Sequence, residues 1–365
     1  MIFSKFTCPF CIREYDKSEV LYVCPDCGTE TKPGRFAREP IKCSDPNCGG
    51  FATLRVCPSC HETIPKTALD TPNLPFSIVG VSTSGKTNYI TVMLHELGTS
   101  SGLRLGLGHQ TQETLTNQNY NWELINKYHQ KPPATDSEVR PQIWYIKNLE
   151  KKHGNSVPTY TFTIFDGAGE DQENIDPSST VCRYIKASKA IILTIDPLVL
   201  PSVRKGGIVD ANIMTNSLNG AEGMGKNASD IINSVATYIK VARGIRSDKM
   251  LDIPVAVVLT KFDTIINHRA FGSQAIIRNR SLTVRNGMVD LAEIQQVDSE
   301  IRNWLLQIGE QAFIDTLDSH CKEYYFFGVS SYGSPPNETS TPDEIRPHRV
   351  LDPILWLFKK AKFID

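Results

Sequence analysis

The sequence predicts an α/β fold, a mainly parallel sheet with helices on both faces, preceded by a small metal-stapled head. Three observations predict it. From Phe76 onward, strand-like and helix-like runs alternate along the chain. The stretch SIVGVSTSGKTNYI (77–90) sets a loop of the form G-x-x-x-x-G-K-[ST] between an apolar strand and a helix, the context that pattern needs. Eight of the ten cysteines fall before position 61, in closely spaced pairs.

Composition bounds the rest. The 365 residues suffice for one large domain plus a small one. Thirty-nine basic side chains against forty acidic ones predict neither a nucleic-acid partner nor a membrane surface. The start, MIFSKFTCPFC, lacks the apolar core of a secretory leader, and KAIILTIDPLVL is too short and too charged to span a bilayer. A cytoplasmic location is therefore expected, where paired cysteines bind metal rather than form disulfides.

The head comes first. Cys8/Cys11, Cys24/Cys27, Cys43/Cys48 and Cys57/Cys60 lie in turns such as CPFC, CPDCG and CPSC, which aim two thiolates at one ion. Two such turns complete a tetrahedron, so two zinc ions are expected. EVLYV and FATLRV read as short strands between them. The pattern is that of two consecutive ribbons, Cys8/Cys11/Cys24/Cys27 and Cys43/Cys48/Cys57/Cys60; nested or crossed pairing of the same turns stays open. A closed four-thiolate site has no open position for catalysis, so its role is to hold a segment too small for its own core. His61 is read as a surface residue, since both sites are full. Residues 1–70, balanced in charge, read as a docking module for a protein partner, and KTALDTPNLP (66–75) as a linker.

Residues 71–365 form the second domain. Strands are predicted at 76–80, 142–147, 159–166, 190–196, 255–260 and 324–330, several of them continuous apolar runs suited to burial on both faces. The polar link between the second and third suits an antiparallel edge. Helices are predicted at 86–97, 228–245, 290–317 and 351–363, with a mobile glycine-rich insertion at 201–227.

In the 80–87 loop, backbone N–H groups of Gly80, Val81, Ser82, Thr83, Ser84 and Gly85, with Thr87 and Asn88 opening the helix, form a concave positive site for phosphate oxygens. Lys86 reaches the β- and γ-phosphates, and the Thr87 hydroxyl ligates Mg²⁺. Further along stand DGAG (166–169), TKFD (260–263) and VSSYG (329–333), each at the end of a predicted strand.

In order and spacing these motifs resemble those of the Ras-like P-loop GTPases, over about residues 76–365. The resemblance implies a GTP- and GDP-binding, GTP-hydrolysing switch. It implies that Asp166 stands beside Mg²⁺ and that the Gly169 N–H faces the γ-phosphate. Asp263 then accepts the N1–H and N2–H₂ of guanine, while Thr260 begins that motif and Lys261 lies along the base plane. Ser330 and Ser331 take the fifth motif, Ser331 offering its N–H to guanine O6. Thr135 is taken as the switch threonine that meets Mg²⁺ in the triphosphate state, with Thr111, Thr114 and Thr116 as rivals. The chain departs from the pattern at Glu170, where Ras-type proteins carry the glutamine that orients water. Arg183 and Arg204 are candidates for an arginine finger by position only. Slow hydrolysis is expected unless an activating partner or homodimerisation assists. With its cysteine head, the chain resembles the double-GTPase group of bacterial proteins, which implies protein partners in multi-gene conflict or defence systems. A nucleotide-binding scaffold with little turnover, and a P-loop ATPase, are the competing expectations.

Overall fold

The computed structural model describes residues 5–34, 38–71, 73–80, 84–99, 107–109, 112–132, 141–147, 159–166, 180–209, 228–281, 284–285, 288–336 and 341–362. The head is built from seven short strands: β1 (Lys5–Thr7), β2 (Glu14–Asp16), β3 (Leu21–Val23), β4 (Glu30–Thr31), β5 (Ile41–Lys42), β6 (Phe51–Ala52) and β7 (Leu54–Val56). β1 pairs with β2, β5 with β6, and β3 lies between β4 and β7. All of these pairings are antiparallel.

The cysteine turns pair in nested fashion, which corrects the consecutive reading. One cluster is Cys8, Cys11, Cys57 and Cys60; the other is Cys24, Cys27, Cys43 and Cys48. The reason is the β3–β7 ladder, in which Leu21 faces Val56 and Val23 faces Leu54. At one end it carries Cys57 back to the first turn. At the other end Cys24 leaves β3 toward the β5–β6 hairpin, where Cys43 and Cys48 wait.

The expected linker is also ordered. Lys66–Asp70 forms helix α1, whose Ala68 and Leu69 pack with Phe6, Val20 and Ile64 against the first cluster. Two residues later β8 (Asn73–Gly80) begins.

The large domain's strands are β8, β9 (Leu107–His109), β10 (Gln142–Lys147), β11 (Thr159–Asp166), β12 (Ala190–Ile195) and β13 (Val255–Leu259). They are followed by a small hairpin, β14 (Val284–Arg285) with β15 (Met288–Val289), and by β16 (Tyr324–Gly328). A seven-stranded sheet runs in the order β16-β13-β12-β8-β11-β10-β9. The first five are mutually parallel; at one edge β10 alone runs antiparallel to them, and β9, antiparallel to β10, runs in their direction again. All six predicted strands are present, and β9 adds a seventh.

The helices of this domain are α2 (Lys86–Gly98), α3 (Gln112–Asn126), α4 (Thr180–Ala187), α5 (Pro201–Lys205), α6 (Ala228–Arg243), α7 (Leu291–Gln307), α8 (Gln311–His320) and α9 (Asp352–Lys360). The single helix expected at 290–317 is two, broken where Gly309 takes φ +85°, a conformation that ends an α-helix. Residues 201–209 are ordered, with Val203 and Val209 in the core, whereas 210–227 lies outside the described residues. Alternation along β13 explains the two-sided core. Val255, Val257 and Leu259 pack with α6 and α7, while Ala256 and Val258 pack with α2 and α9. This burial sets the parallel strands' C-terminal ends, and the loops that follow them, along one rim.

Candidate functional site

Gly80 ends β8 beside Thr194 of β12. A Cβ at Gly80 would lie 2.1 Å from the Thr194 hydroxyl oxygen, so only glycine fits there. Ser84 and Thr194 hydroxyls meet at 2.9 Å, both buried. Gly85 takes φ +76° immediately before α2, a left-handed turn that glycine adopts without strain. Lys86 and Thr87 then open the helix, Lys86 only 9% exposed. Asn88 follows within the same first turn. Val81, Ser82 and Thr83 lie outside the described residues.

The loop at 260–263 is tied directly to the residues that precede α2. The Thr260 hydroxyl donates to the Ser84 carbonyl at 2.6 Å. Lys261 adopts φ +49°, and its ammonium pairs with Asp196 Oδ2 at 2.5 Å; Asp196 Oδ1 accepts from the Leu198 N–H. The Phe262 N–H donates to the Val329 carbonyl at 3.0 Å, and the Val329 N–H to the Leu259 carbonyl at 2.9 Å. These bonds stitch the 260–263 and 329–331 loops together. A Cβ at Gly328 would sit 2.6 Å from the Phe262 ring, so this glycine permits the close approach.

Burial pushes the Asp263 carboxyl above the usual aspartate range, against hydrogen bonding by Ser330, which draws it down. Ser330 is buried and exchanges two backbone bonds with His348, at 3.0 and 2.8 Å. Its hydroxyl accepts from the Gly333 N–H at 2.8 Å. Ser331, next along, is half-buried.

The predicted residues are therefore gathered in part. Ser84 and Gly85 meet Thr260, Gly80 lies against Ser84 and Thr194, and Asp263 meets Ser330. Asp166 is the last residue of β11 and stands level with Ile78 on the neighbouring β8. Thr135, Gly169 and Glu170 lie outside the described residues, as does Thr111. Thr114 and Thr116 fall in α3 rather than in a loop. Arg204 donates from Nε to the Leu198 carbonyl at 2.8 Å, and Arg183 is a half-buried residue of α4. Sequence reasoning missed Thr194 and Asp196. Both are polar groups at the C-terminal end of an apolar parallel strand, and that placement was the available signal.

The two cysteine clusters suit a tetrahedral ion. Four thiolates at 2.3 Å from zinc stand about 3.8 Å apart. Sulfur pairs here lie at 3.8 Å (Cys8, Cys60), 3.7 Å (Cys11, Cys57), 3.6 Å (Cys24, Cys48) and 3.5 Å (Cys27, Cys43). Among the described residues these are the two groups of metal-ligating side chains so arranged. His61 joins neither; its Nδ1 lies 2.7 Å from Glu30 Oε1. No helix among the described residues is long and apolar enough to cross a membrane.

No family model matches the chain. A protein of Mycolicibacterium smegmatis named "Putative ESX-1 scaffolding and assembly protein SaeC" is 23% identical over 331 residues, covering 83% of this chain and 79% of that protein. Among solved structures, the signal recognition particle receptor SRb-GTP/SRX complex of Chaetomium thermophilum aligns with 73% of this chain and 94% of its own, at 14% identity and a TM-score of 0.29. The S. cerevisiae Ski7 GTPase-like domain bound to GDP and inorganic phosphate aligns with 80% of this chain and 50% of its own, at 15% identity and a TM-score of 0.33. Scores this low carry no weight beside the strand order itself.

Proposed function

We propose that residues 71–365 bind GTP and GDP with Mg²⁺ and hydrolyse GTP, and that residues 1–70, held by two zinc ions, dock a protein partner. The observation that carries this reading is the bond from the Thr260 hydroxyl to the Ser84 carbonyl, which joins the base loop to the phosphate loop at the rim of the sheet. A nucleoside triphosphate would then lie with its phosphates over Gly85 and Lys86 and its base toward Asp263 and Ser331. Thr87, Asp166 and Thr135 would hold Mg²⁺, which supplies charge neutralisation between the β- and γ-phosphates. Lys86 neutralises the same oxygens from the protein side. The Gly169 N–H and Glu170 would face the γ-phosphate and the attacking water.

A second reading has its own support: a nucleotide-binding scaffold with little turnover. Glu170 adds negative charge where hydrolysis needs a neutral water-orienting group. The relative named for scaffolding and assembly also favours it, and favours protein assembly over a conflict system as the setting. Titration of labelled GTP, GDP and ATP tests the common premise; equal affinity for ATP would overturn it. A single-turnover assay then separates switch from scaffold, since phosphate release without a partner favours the former.

A further inference from the structure

Tyr184, on α4, is fully buried, and its hydroxyl points into the head. It donates to the carbonyls of Pro9 and Phe10, the latter at 3.0 Å. Those two residues stand between Cys8 and Cys11, two of the four sulfurs of the outer cluster. The turn's shape depends on that cluster. The Phe10 N–H points at Cys8 Sγ at 3.4 Å, the Ile12 N–H donates to the Cys8 carbonyl at 2.9 Å, and Ile12 itself takes φ +59°. A turn held through its sulfurs loosens without metal, and the buried hydroxyl then loses its acceptors.

The other end of α4 is fastened to the strand that feeds the phosphate loop. The Ser188 hydroxyl meets Ser77 of β8 at 2.6 Å, and the Lys189 N–H donates to the Pro75 carbonyl at 2.9 Å. Arg243 holds the carbonyls of Ile185, Lys186 and Ser188 with one nitrogen. A second bond, from Asn73 Nδ2 to the Thr7 carbonyl at 3.5 Å, joins the head to β8 directly, and the Thr163 hydroxyl of β11 donates to the same Asn73. The head thus holds β8, the strand that ends at Gly80, and through Asn73 that contact extends to β11, which ends at Asp166.

We propose that metal occupancy of the outer cysteine site and the nucleotide state are thermodynamically coupled, with Tyr184 as the joint and α4 as the lever. This rests on the guanine-nucleotide reading above. Coupling is reciprocal: if the outer metal favours one nucleotide state, that state retains the outer metal by the same factor.

The test measures zinc release from the full-length protein to a chromophoric chelator, with a non-hydrolysable GTP analogue, with GDP, or with neither. Cys57→Ser, lacking the outer zinc, identifies the outer-site phase by its loss. That phase should differ at least about fivefold between the two nucleotides, and Tyr184→Phe should abolish the difference. Equal outer-zinc release in all states, in protein shown by fluorescent titration to hold the nucleotide, overturns the coupling and leaves the nucleotide reading intact. A Tyr184→Phe variant that melts earlier yet keeps the nucleotide dependence makes Tyr184 a packing contact and overturns its role as joint. Failure of the parent protein to bind guanine nucleotide in the same titration overturns the underlying site instead.

Discussion

Guanine offers two N–H donors on the edge that the carboxylate of Asp263 would meet, whereas adenine offers an unprotonated N1. A buried acceptor facing another acceptor loses its bonds, and discrimination of about 10⁴-fold can follow. Asp263→Asn should therefore weaken GTP and strengthen xanthosine triphosphate, whose 2-oxygen replaces the amino group; titrating both forms with both nucleotides checks this. The raised carboxyl of Asp263 adds a pH dependence. Its contribution to stability is present below the unfolded-state pKa and is lost as pH rises through the raised folded value. Bound guanine offsets that loss only when the carboxylate is ionised. The rise in melting temperature with GTP should thus shrink in acid at a pH above the ordinary aspartate range, and Asp263→Asn should lack that shrinkage. At Lys86, replacement by alanine should cost about ten- to hundredfold in triphosphate affinity, as expected for a lost charge-assisted bond. Isothermal titration measures it.

At the scale of elements, the contact of β8 with β12 constrains Gly80 and Ser84. A methyl at Gly80 would meet Thr194 Oγ1 at 2.1 Å and the Thr194 carbonyl oxygen at 2.7 Å, and backbone cannot yield as a flexible side chain does. Gly80→Ala should lower stability by about 1–3 kcal/mol, read by thermal melting, and should disturb the Ser84–Thr194 hydroxyl pair. The same elements show what a sequence discloses. Strands such as VAVVL announce themselves because burial on both faces demands an unbroken apolar run. β9 does not, since its three residues LGH carry no period. The nested cysteines were equally opaque: the turns reveal their ligands, but which turns meet depends on the β3–β7 register, a long-range pairing. The T-K-x-D motif is read directly from the sequence, but that Thr260 bonds to Ser84 and Lys261 to Asp196 is set by strand order.

For the whole molecule, the two sulfur clusters predict two zinc ions per chain, to be counted by elemental analysis of freshly purified protein. Cys57→Ser should leave one, because it removes a ligand from the outer cluster alone. Nesting also has a consequence for how the head comes together. Cys27 and Cys43 bound a loop roughly a third as long as that between Cys11 and Cys57, and closing the shorter one costs about 1 kcal/mol less in chain entropy. Once closed, it draws β3 toward the hairpin and shortens the effective span that the outer cluster must bridge. A nascent chain also exposes all four inner sulfurs before Cys57 and Cys60 have emerged, since Cys24, Cys27, Cys43 and Cys48 precede them in the sequence. Metal uptake is therefore expected in sequence, inner cluster before outer, with the turn that touches Tyr184 locked last.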